Sequence, residues 1–231
     1  MIDEEPLAMP AEESLAISVP LPNGAVTVPA SWGEPDAGAV RGTVIVAHGA
    51  GAGMQHPFLV GFSDALRDAG FATLRFDFPY RAQGRRMPGP AAHAIATWNA
   101  VVEVARRRSA EQRIWAAGKS YGGRMASMAV ADGLAVDGLI YLGYPLHAPG
   151  KPEKPRADHL PVIQAPQLFV EGTADPFIQP IGQFEEAVSA CQDARVAWVD
   201  GGGHSFEVRG QRRSSQEVGA SIASLVLPFI R

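Results

Sequence analysis

One serine of this chain has the surroundings of a catalytic nucleophile. Ser120 is the centre of residues 118–122, Gly-Lys-Ser-Tyr-Gly, which follow a strand-like run (113–117) and precede a helix-like run (124–132). A Gly-x-Ser-x-Gly segment between a strand and a helix is typical of a nucleophile elbow, a strained turn that presents the hydroxyl at the carboxyl end of a sheet. The glycines lack a Cβ, so strand and helix can approach closely enough for the turn to form. The sequence therefore predicts that Ser120 attacks a carbonyl carbon.

Two later residues are predicted to activate this serine. A serine hydroxyl is a weak nucleophile until a neutral imidazole takes its proton. His204 lies in a glycine-rich loop after the strand-like run 195–199, and Asp175 follows the strand-like run 167–171. The chain order serine, aspartate, histidine fits this architecture, and both loops should lie at the sheet edge where open α/β sheets bind ligands. We predict that His204 is the base and that Asp175 orients it.

Simpler interpretations exist for two of the three residues. Ser120 could serve only as the cap of the following helix. Asp175 could open a turn before Pro176, in which case Glu171 is the nearest replacement acid.

Two backbone amides are predicted to bind the oxyanion that forms during attack. One is that of Tyr121 at the start of the helix, where the helix dipole favours negative charge. The other is that of Ala50 in the glycine-rich loop 48–53, which follows the apolar run 43–47.

Four further residues are candidates for substrate contact. They are His48, Arg81, Arg124 and His147. Arg81 forms a basic cluster with Arg85 and Arg86, and arginines that face the cleft would favour a substrate with a carboxylate or phosphate. The alternative for the arginines is a solvated loop and a surface salt bridge. His48 either bonds within its own loop or contacts the ligand, and the loop of His147 follows a strand end near the site.

Alternating strands and helices are predicted to position these residues. Apolar runs typical of strands occupy 15–19, 24–28, 43–47, 71–76, 113–117, 139–142, 167–171 and 195–199, and helical patterns occupy 57–69, 91–108, 124–132, 181–190 and 216–230. This alternation predicts an α/β fold with a doubly wound, mostly parallel sheet. Pro22-Asn23-Gly24 predicts an antiparallel hairpin at its start. The proline-rich segment 145–166 is too short for a large lid, so we expect an open site.

Composition limits the classes of function. The 231 residues suit one α/β domain, predicted over 15–231 after an acidic flexible tail at 1–14. The net charge of −4 and the lack of a long basic stripe argue against nucleic acid as a partner. Cys191 is the only cysteine, so no intrachain disulfide and no zinc cluster are expected. With no secretory signal pattern and no membrane-length apolar stretch, we expect a cytoplasmic protein without metal or cofactor; its oligomeric state stays open.

Two phosphate-binding patterns are nearly but not fully present. Gly118-Lys119-Ser120 resembles the end of a phosphate loop, but Arg113 stands where that motif needs its first glycine. The glycine-rich run 49–54 ends in Met54 where a dinucleotide fingerprint needs its last glycine. A nucleotide site is therefore not predicted.

Six segments carry a resemblance to a known family. They are 48–53 (HGAGAG), 78–81 (FPYR), 118–124 (GKSYGGR), 143–147 (GYPLH), 172–177 (GTADPF) and 203–206 (GHSF). With them the chain resembles the α/β-hydrolase superfamily over nearly its whole length, and more narrowly the small, cap-poor group near dienelactone hydrolases. Within that group it is similar to bacterial proteins whose eukaryotic relatives include a testis-expressed protein and a subunit of a histone-acetylating complex. The resemblance implies the fold and the three catalytic positions; because Ser120 replaces the cysteine of dienelactone hydrolases, a dienelactone substrate is not implied.

Two functions are compatible with these observations. The first is a serine hydrolase of small esters, or of thioesters or amides, that works through an acyl-enzyme. The second, suggested by scaffold members of the narrower group, is a catalytically weak or inactive interaction protein with the hydrolase fold. The intact set of three residues argues for the enzyme, since a scaffold gains nothing from a strained serine.

Overall fold

A single eight-stranded sheet runs through the molecule, whose computed structural model describes residues 12–109 and 112–230. The strands are β1 (Glu13–Val19), β2 (Val26–Gly33), β3 (Thr43–Ala47), β4 (Ala72–Phe76), β5 (Ile114–Lys119), β6 (Gly138–Leu142), β7 (Gln167–Gly172) and β8 (Ala194–Val199). Their order across the sheet is β1-β2-β4-β3-β5-β6-β7-β8. Strands β3 to β8 pair in parallel, and β2 is antiparallel to both β1 and β4. The predicted mostly parallel sheet with an antiparallel N-terminal pair is confirmed.

Helices cover both faces of this sheet. They are α1 (Pro57–Asp68), α2 (Pro79–Ala82), α3 (Ala91–Arg108), α4 (Tyr121–Ala131), α5 (Ile181–Ser189) and α6 (Ser215–Val226), with a 3₁₀ turn at Leu160–Val162. Side chains of α3, α4 and α5 belong to one buried cluster, and those of α1 and α6 belong to the other. None of the helices in the described ranges is long and apolar enough to cross a membrane.

The central strands are mostly apolar because each face of the sheet has its own core. In β3, Val44 and Val46 enter the cluster under α1 and α6, whereas Ile45 and Ala47 enter the cluster under α3 and α4. Successive side chains of a strand point to opposite faces, so a strand covered on both sides reads as a continuous apolar run. The buried central strands are parallel, so their carboxyl ends and the loops that follow them lie at one edge of the sheet.

Helices α1 and α6 pack with their backbones almost in contact. A Cβ atom built on Gly61 of α1 would lie 2.1 Å from the carbonyl oxygen of Gln216, and one built on Gly219 of α6 would lie 2.0 Å from that of Phe58. Real Cβ atoms do not approach carbonyl oxygens this closely, so glycine is required at both positions. The spacing of this helix pair is therefore set by main-chain atoms.

Several boundaries differ from those predicted. Strand β1 begins at Glu13, inside the predicted tail, and the Glu12 carboxylate pairs with Arg67 and Arg75; residues 1–11 of that tail lie outside the described residues. The short helix α2 lies in the predicted loop after β4. Helix α6 ends at Val226 rather than near residue 230, because Pro228 has no N–H with which to continue it.

Candidate active site

Ser120 occupies a strained turn between β5 and α4. Its backbone has φ 49° and ψ −112°, in the left-handed half of conformational space that a residue with a side chain rarely adopts. Its carbonyl oxygen accepts the N–H of Arg124 at 3.1 Å, which ties the turn to the first turn of α4. Such outliers persist where the surrounding structure holds them, and they concentrate at functional sites.

The glycines around Ser120 are required by close backbone contacts. A Cβ on Gly118 would lie 2.2 Å from the amide nitrogen of Gly123, and one on Gly123 would lie 2.6 Å from the carbonyl oxygen of Gly118. A Cβ on Gly122 would lie 2.6 Å from the carbonyl oxygen of His48. Strand β5 and helix α4 therefore approach as the sequence pattern predicts.

A chain of hydrogen bonds joins the three residues that the sequence singled out. His204 Nε2 lies 2.9 Å from Ser120 Oγ, and His204 Nδ1 lies 2.6 Å from Asp175 Oδ2. Asp175 is fully buried and its second oxygen accepts the N–H of Phe177 at 2.8 Å. The Phe177 ring stacks on the imidazole with ring centroids 4.0 Å apart. These contacts fix both the position and the plane of the His204 ring.

The surroundings of His204 favour its neutral form. Burial lowers the pKa of His204; the hydrogen bond to Asp175 opposes that shift, and the charge of Lys119 adds to it. An imidazole must be neutral to remove a proton from a hydroxyl. With Nδ1–H donating to Asp175, the lone pair of Nε2 faces Ser120.

Two buried ionisable groups lie beside the three residues. Lys119 donates from Nζ to the carbonyl oxygen of His204 at 2.7 Å, and burial lowers the pKa of Lys119 to about 8. Glu171 accepts the N–H of Tyr144 with one oxygen, and its other oxygen has no hydrogen-bond partner among the described residues. Burial raises the pKa of Glu171 well above its usual range. Asp175, and not Glu171, is the acid in contact with His204.

The two predicted oxyanion donors lie in the wall of the same cleft as Ser120. Tyr121 is the first residue of α4, so its N–H has no partner within the helix. The N–H of Ala50 donates to no residue in the described part of the chain. Both amides are available to an oxyanion at the Ser120 side of the cleft.

His48 is bonded to the backbone of the loop that contains Ala50. It is fully buried; its Nδ1–H donates to the carbonyl oxygen of Gly49 at 2.8 Å, and its Nε2 accepts the N–H of Phe78 at 3.2 Å. Both ring nitrogens of His48 are bonded to backbone and the side chain is buried, so its contacts favour the predicted role within its own loop over contact with a ligand.

The cleft has a volume of about 560 Å³ and a mixed wall. Apolar side chains of α1 and α6 form one side. The charged side chains of its lining are Lys119, Arg124, Arg156, Glu207 and Arg213. Among the described residues, no group of three His, Cys, Asp or Glu side chains is placed to hold a metal ion.

Of the four predicted substrate contacts, only Arg124 lines this cleft. The Arg81 guanidinium lies beside Gly53, 3.5 Å from a Cβ built there, and Arg85 borders a separate pocket of about 50 Å³. His147 is fully buried and donates from Nδ1 to the carbonyl oxygen of Ala148 at 2.9 Å. Neither Arg81 nor Arg85 of the predicted basic cluster therefore lines the cleft of Ser120.

Sequence reasoning missed several residues of the site. Phe177 lies two residues after Asp175 and Glu207 three residues after His204, so their proximity to the site could be predicted from the sequence. Arg156 and Arg213 come from segments without regular structure, and nothing in their local sequence indicates the cleft.

Comparisons with known proteins agree with the fold. A family model described as an alpha/beta hydrolase domain matches residues 40–231. Among solved structures, an alpha-beta serine hydrolase homologue from Coxiella burnetii superposes with a TM-score of 0.75 at 19% identity, over 98% of this chain and 100% of that one. A dienelactone hydrolase from Anabaena variabilis gives a TM-score of 0.71 at 21% identity, over 95% and 99% of the two chains. XC6422 from Xanthomonas campestris, an α/β serine hydrolase without lid, gives 0.71 at 22% identity, over 97% and 98%.

These matches bear on the predicted resemblance. The structural neighbours are a serine hydrolase homologue, a serine hydrolase without lid and a dienelactone hydrolase, as the sequence segments indicate. The narrower likeness to relatives of the testis-expressed protein stays a prediction. Since the family model spans most of the residues, the chain belongs to the α/β-hydrolase family.

Proposed function

We propose that this protein is a serine hydrolase that cleaves small carboxylic esters through an acyl-enzyme. The observation that carries the proposal is the unbroken chain of hydrogen bonds from Asp175 through His204 to Ser120, which opens into a cleft. The strained backbone of Ser120 supports it, since a helix cap would adopt an unstrained conformation. Esters are preferred over thioesters and amides as the first substrates to test.

In the first half of the reaction, Ser120 Oγ forms a bond to the ester carbonyl carbon while its proton passes to His204 Nε2. Asp175 stabilises the imidazolium that results. The amides of Ala50 and Tyr121 donate to the negative oxygen, and the helix dipole of α4 adds to this stabilisation. As the carbon–oxygen bond of the ester breaks, the leaving alcohol takes the proton from His204.

In the second half, water attacks the acyl-enzyme and gives its proton to His204. The proton then returns to Ser120 Oγ as the acid product departs. Every step uses groups of this chain together with water. The cleft of about 560 Å³ suits short or medium acyl groups.

Fluorophosphonate labelling tests this proposal together with hydrolysis of a panel of short-chain esters. We expect Ser120→Ala to abolish labelling and to lower kcat/KM about 10⁴-fold or more. Ser215→Ala is the matched control, because Ser215 lines the same cleft at the start of α6. Failure of the wild type to label and to hydrolyse any ester would leave the interaction-protein interpretation as the better one.

A further inference from the structure

Positive charge is concentrated in the cleft, although the whole chain carries a net charge of −4. Among the residues that the structure describes, four cationic side chains and one carboxylate line the cleft. The cations are Lys119, Arg124, Arg156 and Arg213, and the carboxylate is Glu207. Glu207 accepts the N–H of Ser205 at 3.0 Å, so it is bonded within its own loop. The cleft therefore attracts anions.

Two of the four cations already have a partner. Lys119 donates to the carbonyl oxygen of His204, and Arg213 donates to that of Glu217 at 3.2 Å. The guanidinium groups of Arg124 and Arg156 make no hydrogen bond and no ion pair with any residue in the described ranges. Arg124 Nε is buried without an acceptor. A buried donor without an acceptor is costly, so an acceptor bound there would be favourable.

The two unpaired arginines lie close together. Burial lowers the pKa of Arg124, and the nearby charge of Arg156 adds to that shift. His159 also adjoins Arg124; burial and then the Arg124 charge lower the pKa of His159, while the charges of Asp158 and Asp132 oppose that shift. A ligand that brings a negative charge would relieve the repulsion between the two guanidiniums.

Backbone hydrogen bonds fix the positions of Arg124 and Arg156 in the chain segments that border the cleft. The N–H of Arg124 bonds to the carbonyl of Ser120, and four residues of helix rise by about 6 Å. Arg156 donates its N–H to the carbonyl of Leu146 at 2.7 Å and accepts the hydroxyl of Tyr144 at 2.7 Å. Ser120, Arg124 and Arg156 all line the same cleft, so a ligand in it can reach the hydroxyl and both guanidiniums.

We propose that Arg124 and Arg156 form a carboxylate-binding subsite, so that the preferred substrates are esters that carry a second, ionised carboxylate. Planar guanidinium groups match a carboxylate with paired hydrogen bonds, which also orient the ligand. This inference rests on the proposed function, because it names the substrate class of the same site. The carboxylate belongs either to the acyl part or to the leaving alcohol, and the experiment has an arm for each.

The experiment compares kcat/KM for matched anionic and neutral esters. The acyl arm uses monomethyl adipate against methyl hexanoate, and the alcohol arm uses 4-acetoxybutanoate against butyl acetate. A charge-assisted hydrogen bond contributes about 1.5–3 kcal/mol, so we expect the anion to be preferred about tenfold or more in one arm. The ratio of the two rates cancels any general loss of active enzyme.

Variants assign the preference to the subsite. Arg124→Gln and Arg156→Gln should each bring the ratio toward one. Arg213→Gln removes a cleft charge that already has a partner, so this variant should retain most of the preference for the anionic ester. Arg107→Gln, on the exposed side of α3, should retain all of that preference. Equal losses from Arg124→Gln and Arg213→Gln would show a diffuse field instead of a subsite, and would overturn the inference.

The two proposals fail in different ways. Hydrolysis of methyl hexanoate with no preference for monomethyl adipate, together with no preference in the alcohol arm, removes the subsite and leaves the hydrolase. If no ester is hydrolysed, binding of adipate measured by calorimetry still decides the subsite. Adipate should bind the wild type and lose affinity in Arg124→Gln; equal affinity in both, or no binding, would refute it.

Discussion

Replacing Lys119 by methionine tests whether the buried amine positions His204 for catalysis. Methionine has a similar length but cannot donate to the carbonyl oxygen of His204, which Lys119 Nζ reaches at 2.7 Å. A hydrogen bond from a charged donor contributes about 1.5–3 kcal/mol. If all of it acts on the placement of His204, kcat/KM falls about 10- to 100-fold.

The pH profile provides a second, independent readout. Burial already holds the pKa of His204 below its ordinary value of 6.5, and the charge of Lys119 lowers it further. Activity requires the neutral imidazole, so the acid limb of kcat/KM for the wild type should lie below pH 6.5. Methionine removes the positive charge, which raises the pKa of His204 and moves that limb to higher pH.

The assay is ester hydrolysis followed from pH 5 to 9, with Lys151→Met as the control. Lys151 is an exposed lysine of the segment after β6, so its loss should leave both rate and profile unchanged. The wild-type amine loses its charge near its pKa of about 8, so the shift in the acid limb is measured well below that pH. A Lys119→Met enzyme with wild-type kcat/KM and an unmoved acid limb would refute this reasoning, whatever happens to its stability.

Two further predictions concern the acid and the helix pair. Asp175→Asn should lower kcat about 10⁴-fold because it supports the wrong tautomer of His204. Glu171→Gln changes a carboxyl that makes no hydrogen bond to His204, so kcat should stay within about threefold of the wild type. Steady-state kinetics measures both variants, and equal losses would contradict the assignment. Gly219→Ala forces a Cβ to within 2.0 Å of a carbonyl oxygen of α1 and should lower the free energy of unfolding by roughly 1–3 kcal/mol. Gly182→Ala in α5, with nothing within 4 Å of its Cβ, should not destabilise, and urea unfolding of both variants measures the difference.

The parts of the site that the sequence predicts are those that local geometry determines. Ser120 is recognisable because its turn needs glycines at fixed spacing. Strand β3 is recognisable because a strand covered on both faces has a nearly continuous run of apolar residues. The order of Asp175 and His204 along the chain follows from the order of the strands that carry them. Their contact distances depend on the whole sheet, and only the structure provides them.

The parts that escaped prediction depend on packing between distant segments. His48 and Arg81 lie in predicted loops, and the sequence left open whether each contacts the ligand; His48 is buried against backbone and Arg81 lies beside Gly53. Arg156 enters the cleft from a proline-rich segment whose course no periodicity reveals. Lys119 had a visible signal, the Gly-Lys-Ser triplet, but that signal resembled an incomplete phosphate loop, and its amine instead bonds the loop of His204.

The near contact between α1 and α6 has a consequence for changing selectivity. Phe58 and Leu59 on one helix and Val218 on the other form the apolar side of the cleft. The distance between the two helices is set by the contacts of Gly61 and Gly219 with backbone carbonyls of the opposite helix. A larger side chain at either glycine cannot bring the helices closer. Selectivity for acyl length should therefore be changed by making those three side chains larger or smaller, or by altering the 145–166 segment. Changing the distance between the two helices would instead disrupt the packing that forms this side of the cleft.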